Sequence, residues 1–138
     1  MPAPTTDAAP LSVAITANED VVLVRQRARE LSQRIGLSLL DTTKLVTAAS
    51  ELARNALEHG GGGYAELELI HDGRRAGVRM TFVDQGPGIA DIEQALRDGY
   101  TTGGGLGLGL GGSRRLVNEF AIASTPGVGT RITVTRWK

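Results

Sequence analysis

The segment ELARNALEH, residues 51–59, is followed at once by glycine at each of residues 60–63. Glu51 and Asn55 stand four residues apart, and because a helix turns about 100° per residue, their side chains share one face. A separate apolar stripe recurs at spacings of three and four through Leu45, Ala48, Leu52 and Ala56. We therefore predict a helix from about Asp41, as its N-cap, to about His59, where the glycines end it. Its polar edge would face a cleft.

This pair of polar side chains suits phosphoryl transfer. A carboxylate such as that of Glu51 can orient or deprotonate a nucleophile. The amide oxygen of Asn55 is a neutral, hard ligand that suits Mg²⁺ when phosphates and waters complete the octahedron. A solvated helix face would carry the same two residues, so the pair alone leaves both interpretations open.

Alternation and helical periodicity predict the elements before and beside this helix. Residues 11–16 alternate apolar with small or polar side chains and predict a half-buried strand, after which Asn18 or Asp20 can cap a helix. Gly36 is a C-terminal stop for that helix. Its apolar positions recur at Val21, Val24, Ala28, Leu31 and Ile35.

The second half of the chain predicts two hairpins and two short helices. Residues 65–70 and 78–82 read as an antiparallel pair of strands. A short helix is expected at Ile89 to Asp98 and another at Gly112 to Phe120. A closing hairpin then pairs Ala121–Ser124 with Thr130–Thr135.

The segment VDQGPGI, residues 83–89, places an acid at a strand end and glycines around a proline. The Asp84 carboxylate can accept a hydrogen bond from an exocyclic amine, and Gly86 and Gly88 leave room for a flat ring against the main chain. A purine pocket is one interpretation of this pattern. An ordinary turn is the other.

A glycine run precedes the helix predicted at Gly112, and that helix carries Arg114 and Arg115 near its start. Unobstructed backbone N–H groups and a helix N-terminus are a combination that binds phosphate. The run consists of Gly103, Gly104, Gly105, Gly107, Gly109, Gly111 and Gly112, with Leu106, Leu108 and Leu110 between them. A flexible Gly/Ser linker, the alternative, carries few such large apolar residues.

Composition restricts the protein class. The 138 residues suit one domain, which we place at residues 11–138 behind a proline-containing, disordered tail at 1–10. Lys and Arg number 15 against 15 Asp and Glu, so no net charge draws the chain to nucleic acid or an anionic membrane. Cysteine is absent and no stretch has the length of a membrane span, so we expect a cytoplasmic protein. Neither a P-loop string nor a Rossmann fingerprint in its proper context is present.

Taken in order, ELARNALEH, VDQGPGI, GGGLGLGL and the late GVGT resemble the N, G1, G2 and terminal boxes of the GHKL, or Bergerat-fold, ATPase superfamily. The resemblance implies a two-layer α/β sandwich, with a mixed, mostly antiparallel sheet covered by helices on one face. It also implies that Glu51 is the general base, that Asn55 binds Mg²⁺ and that Asp84 accepts the adenine amine. The remaining ATP-binding positions implied are Gly86, Gly88, Gly103, Gly104, Gly105, Leu106, Gly107, Leu108, Gly109 and Thr130.

Within the superfamily the chain is similar to the RsbT-type serine/threonine kinases of bacterial partner-switching, or stressosome, modules. The similarity lies in SELARNALEHGGGG, DQGPGIADIEQALRDGYTTGGGLGLGL and EFAIASTPGVGTRITVTRW. It implies transfer of the ATP γ-phosphate to a STAS-domain antagonist protein, and activation of a PPM-type phosphatase by the released kinase. Two alternatives stay open: an anti-sigma factor with kinase activity that sequesters a sigma factor, and an ATP-binding domain without transfer. Arg25, on the first helix, is either a contact to the partner or phosphates or a solvated charge.

Overall fold

The computed structural model describes residues 5–6, 9–97 and 110–138. Its helices are α1 (Asn18–Arg34), α2 (Leu39–Glu58), α3 (Ile92–Ala95) and α4 (Leu110–Arg115). Its strands are β1 (Thr5–Thr6), β2 (Leu11–Ile15), β3 (Gly63–His71), β4 (Ala76–Asp84), β5 (Glu119–Thr125) and β6 (Gly129–Trp137). In this described part of the chain, none of the helices is long and apolar enough to cross a membrane.

The strands form one sheet in the order β1-β3-β4-β6-β5, and β2 also pairs with β3. Each pairing between these strands is antiparallel. The parallel component that a mixed sheet would have does not occur among the strands of the described ranges. Apolar side chains of α1 and α2 pack on one face of the sheet and form a single core with residues such as Leu67, Met80 and Val134. The predicted two-layer α/β sandwich is therefore confirmed.

Both long helices begin differently from the prediction. Asp20 is not the N-cap of α1: it lies in the first turn, where its carboxylate accepts the N–H of Thr16 at 2.8 Å and of Ala17 at 3.0 Å. The Thr16 N–H lowers the pKa of this carboxyl group from its usual value. Asn18 is already helical, so Ala17 is the N-cap. The carboxylate of Asp20, the third residue of α1, therefore accepts hydrogen bonds from backbone N–H groups that have no partner within the helix.

Helix α2 starts earlier than Asp41. Ser38 is its N-cap, and the Ser38 hydroxyl accepts the N–H of Asp41 at 3.0 Å. Asp41 instead stands in the first turn and pairs with Arg136. The C-terminal predictions are confirmed, because Gly36 has φ of 74° just after α1 and His59 caps α2.

In the second half of the chain, both predicted hairpins are confirmed, and both helices are shorter than predicted. In the described residues the helix expected from Ile89 is confined to α3. The helix expected to reach Phe120 ends at Arg115, because Glu119 and Phe120 belong to β5. The alternating exposure of this segment explains why it is a strand and not a helix. In β5 the odd-numbered residues are exposed, whereas Phe120 and Ile122 pack against the core.

Two predictions concern the ends of the sequence. Trp137 is packed as expected: it is 6% exposed, covers Gly77, and donates from its indole nitrogen to Glu119 at 2.6 Å. Strand β1 lies within the segment predicted as a tail and pairs with Ile70 and His71. The division into tail and domain stays a prediction.

Candidate functional site

Four residues lie side by side across adjacent strands of the sheet. Asp84 of β4 stands opposite Gly63 of β3 on one side and Thr130 of β6 on the other, and Thr130 stands opposite Ser124 of β5. Directly opposed residues share a face, with Cβ atoms about 4.5–5.5 Å apart. By alternation, this row continues the face of the sheet that carries core residues such as Phe82. The predicted adenine residues Asp84 and Thr130 are thus neighbours beneath the helices.

The end of α2 rests on this row. A Cβ on Gly60 would lie 2.4 Å from the Asp84 Cγ, so only glycine permits the approach. The Gly60 N–H donates to the carbonyl of Asn55 at 3.0 Å. With a rise of about 1.5 Å per residue, Asn55 lies about 8 Å and Glu51 about 14 Å along the helix from Gly60. Both polar residues therefore lie on the helix that ends at the row, at increasing distance from it.

The predicted side chains are half-buried, at the border between core and surface. Glu51, Asn55 and Asp84 all have intermediate exposure. The apolar stripe of α2 that includes Leu52 and Ala56 is buried, as predicted. The side chains of Glu51 and Asn55 are therefore accessible to a ligand bound beside α2. The roles assigned to them remain predictions.

The loop after β4 depends on two glycines. Asp84 Oδ1 accepts the N–H of Gly86 at 3.0 Å, and a Cβ on Gly86 would lie 2.6 Å from the Gly60 Cα. Gly88 has φ of 77°, and its Cβ would lie 2.4 Å from the carbonyl oxygen of Thr125. These contacts hold the loop between the end of α2 and the β5–β6 turn. They give a steric reason for the glycines that the sequence singled out.

Ser124 is a site residue that the sequence analysis missed. Its hydroxyl oxygen lies 2.7 Å from the N–H of Ile89, 2.8 Å from the Thr130 hydroxyl and 3.2 Å from the Gly129 carbonyl. Ser124 therefore connects the loop after β4 with the strand that carries Thr130. The predicted closing hairpin contained the signal, since it places Ser124 opposite Thr130.

A cavity of about 410 Å³ adjoins Asp84. Its lining residues are Thr16, Gly60, Gly61, Gly62, Gly63, Tyr64, Val83, Asp84 and Gln85. Glu51, Asn55 and Thr130 are not among them, so this cavity is not the cleft that the sequence predicts. The cleft expected between the polar edge of α2 and the row on the sheet therefore stays a prediction.

The predicted phosphate-binding positions fall outside the described residues. They are Gly103, Gly104, Gly105, Leu106, Gly107, Leu108 and Gly109. The helix expected after the glycine run is present as α4, which begins at Leu110 and has Arg114 and Arg115 in its last turn. The structure therefore brings together Asp84, Thr130 and the two loop glycines at the end of α2.

Comparison with known proteins matches residues 40–138 to the family "Histidine kinase-, DNA gyrase B-, and HSP90-like ATPase". The serine/threonine-protein kinase RsbT of Bacillus subtilis (strain 168) is 40% identical over 125 residues, which are 91% of this chain and 94% of that protein. An anti-sigma F factor of Halalkalibacterium halodurans is 33% identical over 67% of this chain and 66% of that protein. The catalytic domain of histidine kinase ThkA has the same fold, with a TM-score of 0.51 and 15% identity over 94% of this chain and 95% of that one.

Proposed function

The chain belongs to the family of histidine kinase-, DNA gyrase B-, and HSP90-like ATPases, and on this premise we propose that it is an ATP-dependent serine/threonine-protein kinase of a partner-switching module. The observation that supports this most is the row of Asp84 and Thr130 beneath the helix that carries Glu51 and Asn55. The base-binding row on the sheet lies against the end of α2, and two groups suited to phosphate chemistry lie farther back along that helix.

We propose that the base of ATP binds at the row. Asp84 uses one carboxylate oxygen for the Gly86 N–H, which leaves the other to accept a hydrogen bond from the adenine amine. Thr130 is its neighbour on the next strand. The backbone N–H groups of residues 103–109 would then surround the phosphates, since the run leads into α4.

The donor set of α2 fits Mg²⁺. This ion is usually held by one or two carboxylates together with substrate phosphates and waters, and the hard amide oxygen of Asn55 would take the place of a carboxylate on the protein side. When bound, Mg²⁺ would neutralise charge on the phosphates. Glu51, one turn earlier on the same face, remains available as a base.

In the proposed transfer, Glu51 accepts the proton of a serine or threonine hydroxyl on the partner protein. The hydroxyl oxygen forms a bond to the γ-phosphorus, and the bond from that phosphorus to the β,γ-bridging oxygen breaks. ADP leaves with the electron pair of that bond. Positioning and electrostatic stabilisation supply most of the rate enhancement in such reactions, so the placement of Glu51 matters more than its basicity.

We propose a STAS-domain antagonist as the phosphate acceptor and a PPM-type phosphatase as a second partner, both in the cytoplasm. Support comes from similarity to a serine/threonine-protein kinase over nearly the whole chain. A second candidate function, sequestration of a sigma factor, is favoured by the shorter similarity to an anti-sigma F factor. Co-purification separates the two, because a bound sigma factor would support the second function and bound STAS and phosphatase proteins the first.

Transfer of label from γ-labelled ATP to candidate STAS-domain proteins tests the proposal. Glu51→Gln should lower the transfer rate at least about 100-fold, since it removes the base, while ATP affinity stays within about twofold. Glu58→Gln, an exposed glutamate of the same helix, is the matched control and should transfer normally. Equal rates for Glu51→Gln and the parent chain would refute the base assignment.

A further inference from the structure

The Ser124 hydroxyl makes three polar contacts, and these fix where its proton points. A serine hydroxyl has one proton to donate and two lone pairs to accept. The N–H of Ile89, at 2.7 Å, can only donate to it, and the carbonyl of Gly129, at 3.2 Å, can only accept from it. The third contact, the Thr130 hydroxyl at 2.8 Å, could run in either direction.

One arrangement satisfies all three contacts together. Ser124 donates its proton to Gly129, and its two lone pairs accept from Ile89 and from the Thr130 hydroxyl. The proton of Thr130 is then committed to Ser124. What Thr130 retains towards a ligand is lone pairs, so it can accept a hydrogen bond but cannot donate one.

Thr130 is 6% exposed, so it cannot exchange this bond freely for one to water. Its neighbour across β4 and β6 is Asp84, whose ionised carboxylate is also an acceptor. The base site thus presents two acceptors side by side. A purine with an amino group at C6 offers two N–H donors there, whereas a purine with a carbonyl offers an acceptor.

We propose that Ser124 is a positioning residue that determines nucleobase selectivity, because it makes Thr130 a hydrogen-bond acceptor and so favours a 6-aminopurine over a 6-oxopurine. This inference rests on the proposed function, in which Asp84 and Thr130 bind the base. Ser124 acts through Thr130 and does not touch the reacting phosphates.

Calorimetric titration of the full chain with Mg-ATP and Mg-ITP tests this proposal. In Ser124→Ala the Thr130 hydroxyl can rotate and donate to a carbonyl, so the ratio of ITP to ATP dissociation constants should fall about 5- to 10-fold. Ser124→Thr restores a hydroxyl and should restore most of the ratio. Thr125→Ala, at the next and exposed position, is the control and should leave the ratio unchanged.

Thr130→Val removes the other hydroxyl of the same hydrogen bond and keeps the test valid if Ser124→Ala does not fold. The double variant should lose no more selectivity than Thr130→Val alone, because both changes act on one bond. An unchanged ITP to ATP ratio in Ser124→Ala or Thr130→Val, with a parent chain that prefers ATP, overturns this inference only. A parent chain that binds neither nucleotide overturns the proposed function itself.

Discussion

At the scale of single residues, the contact between Gly60 and Asp84 joins the helix layer to the base site. Gly60→Ala would place a Cβ 2.4 Å from the Asp84 Cγ and 2.8 Å from the Ala56 carbonyl oxygen. Overpacking of this kind costs about 1–3 kcal/mol. We therefore expect a loss of that size in the free energy of unfolding, measured with urea, and weaker ATP binding.

Gly112→Ala is the matched control for this prediction. Gly112 lies in α4, and a Cβ there would meet nothing within 4 Å. Because alanine favours a helix over glycine by about 1 kcal/mol, this variant should be as stable as the parent chain or more so. Equal stability of Gly60→Ala and the parent chain would contradict the packing described for the end of α2.

The sequence predicts the position of residues whose arrangement depends on local spacing. It is less informative about residues whose role depends on contacts between strands. Glu51 and Asn55 could be placed on one face because helical spacing alone determines it. Ser124 was missed although the predicted hairpin places it opposite Thr130, because a serine in a strand shows its role only when its hydrogen-bond partners are seen. The N-caps were misplaced for a related reason: several polar residues near each helix start can cap, and backbone geometry selects one.

At the scale of elements, Arg136 ties the start of α2 to β6, the strand of Thr130. Its guanidinium lies 2.6 Å from Asp41 Oδ1 and donates to the Leu116 carbonyl at 3.2 Å, while only 14% of the side chain is exposed. Arg136→Ala should lower the free energy of unfolding by about 1–3 kcal/mol, since it leaves a partly buried carboxylate and a carbonyl without partners.

Arg27→Ala is the comparison for Arg136→Ala in urea unfolding. Arg27 pairs with Glu30 on the surface of α1, and their side chains are 36% and 54% exposed. Such exposed pairs contribute about 0.3–0.5 kcal/mol, so this variant should lose little. A loss from Arg136→Ala no larger than that from Arg27→Ala would mean that the bond between α2 and β6 does not stabilise the fold.

At the scale of the whole molecule, the proposed ATP site uses both layers. The base contacts the sheet, and Asn55 and Glu51 belong to the helix layer, so bound nucleotide should resist separation of the two. At 100 times its dissociation constant a ligand stabilises the folded state by about 2.7 kcal/mol. For a chain of this size that corresponds to a rise in Tm of about 10 °C.

Thermal unfolding with and without Mg-ATP measures this rise. Mg-ITP at the same concentration should give a smaller one, because the row accepts hydrogen bonds and does not donate them. A Tm that does not respond to saturating Mg-ATP would contradict the assignment of the site.

Strand order has a consequence for biosynthesis. Among the strands of the described residues, β5 pairs only with β6, which is synthesised after it. When the nascent chain has emerged as far as Thr125, β5 is therefore complete but its pairing strand β6 has not yet emerged. Asp84 and Ser124 have emerged at that stage, but Thr130, which stands between them, has not. We expect the nascent chain to bind nucleotide only after β6 has emerged. Incomplete chains should therefore not bind ATP.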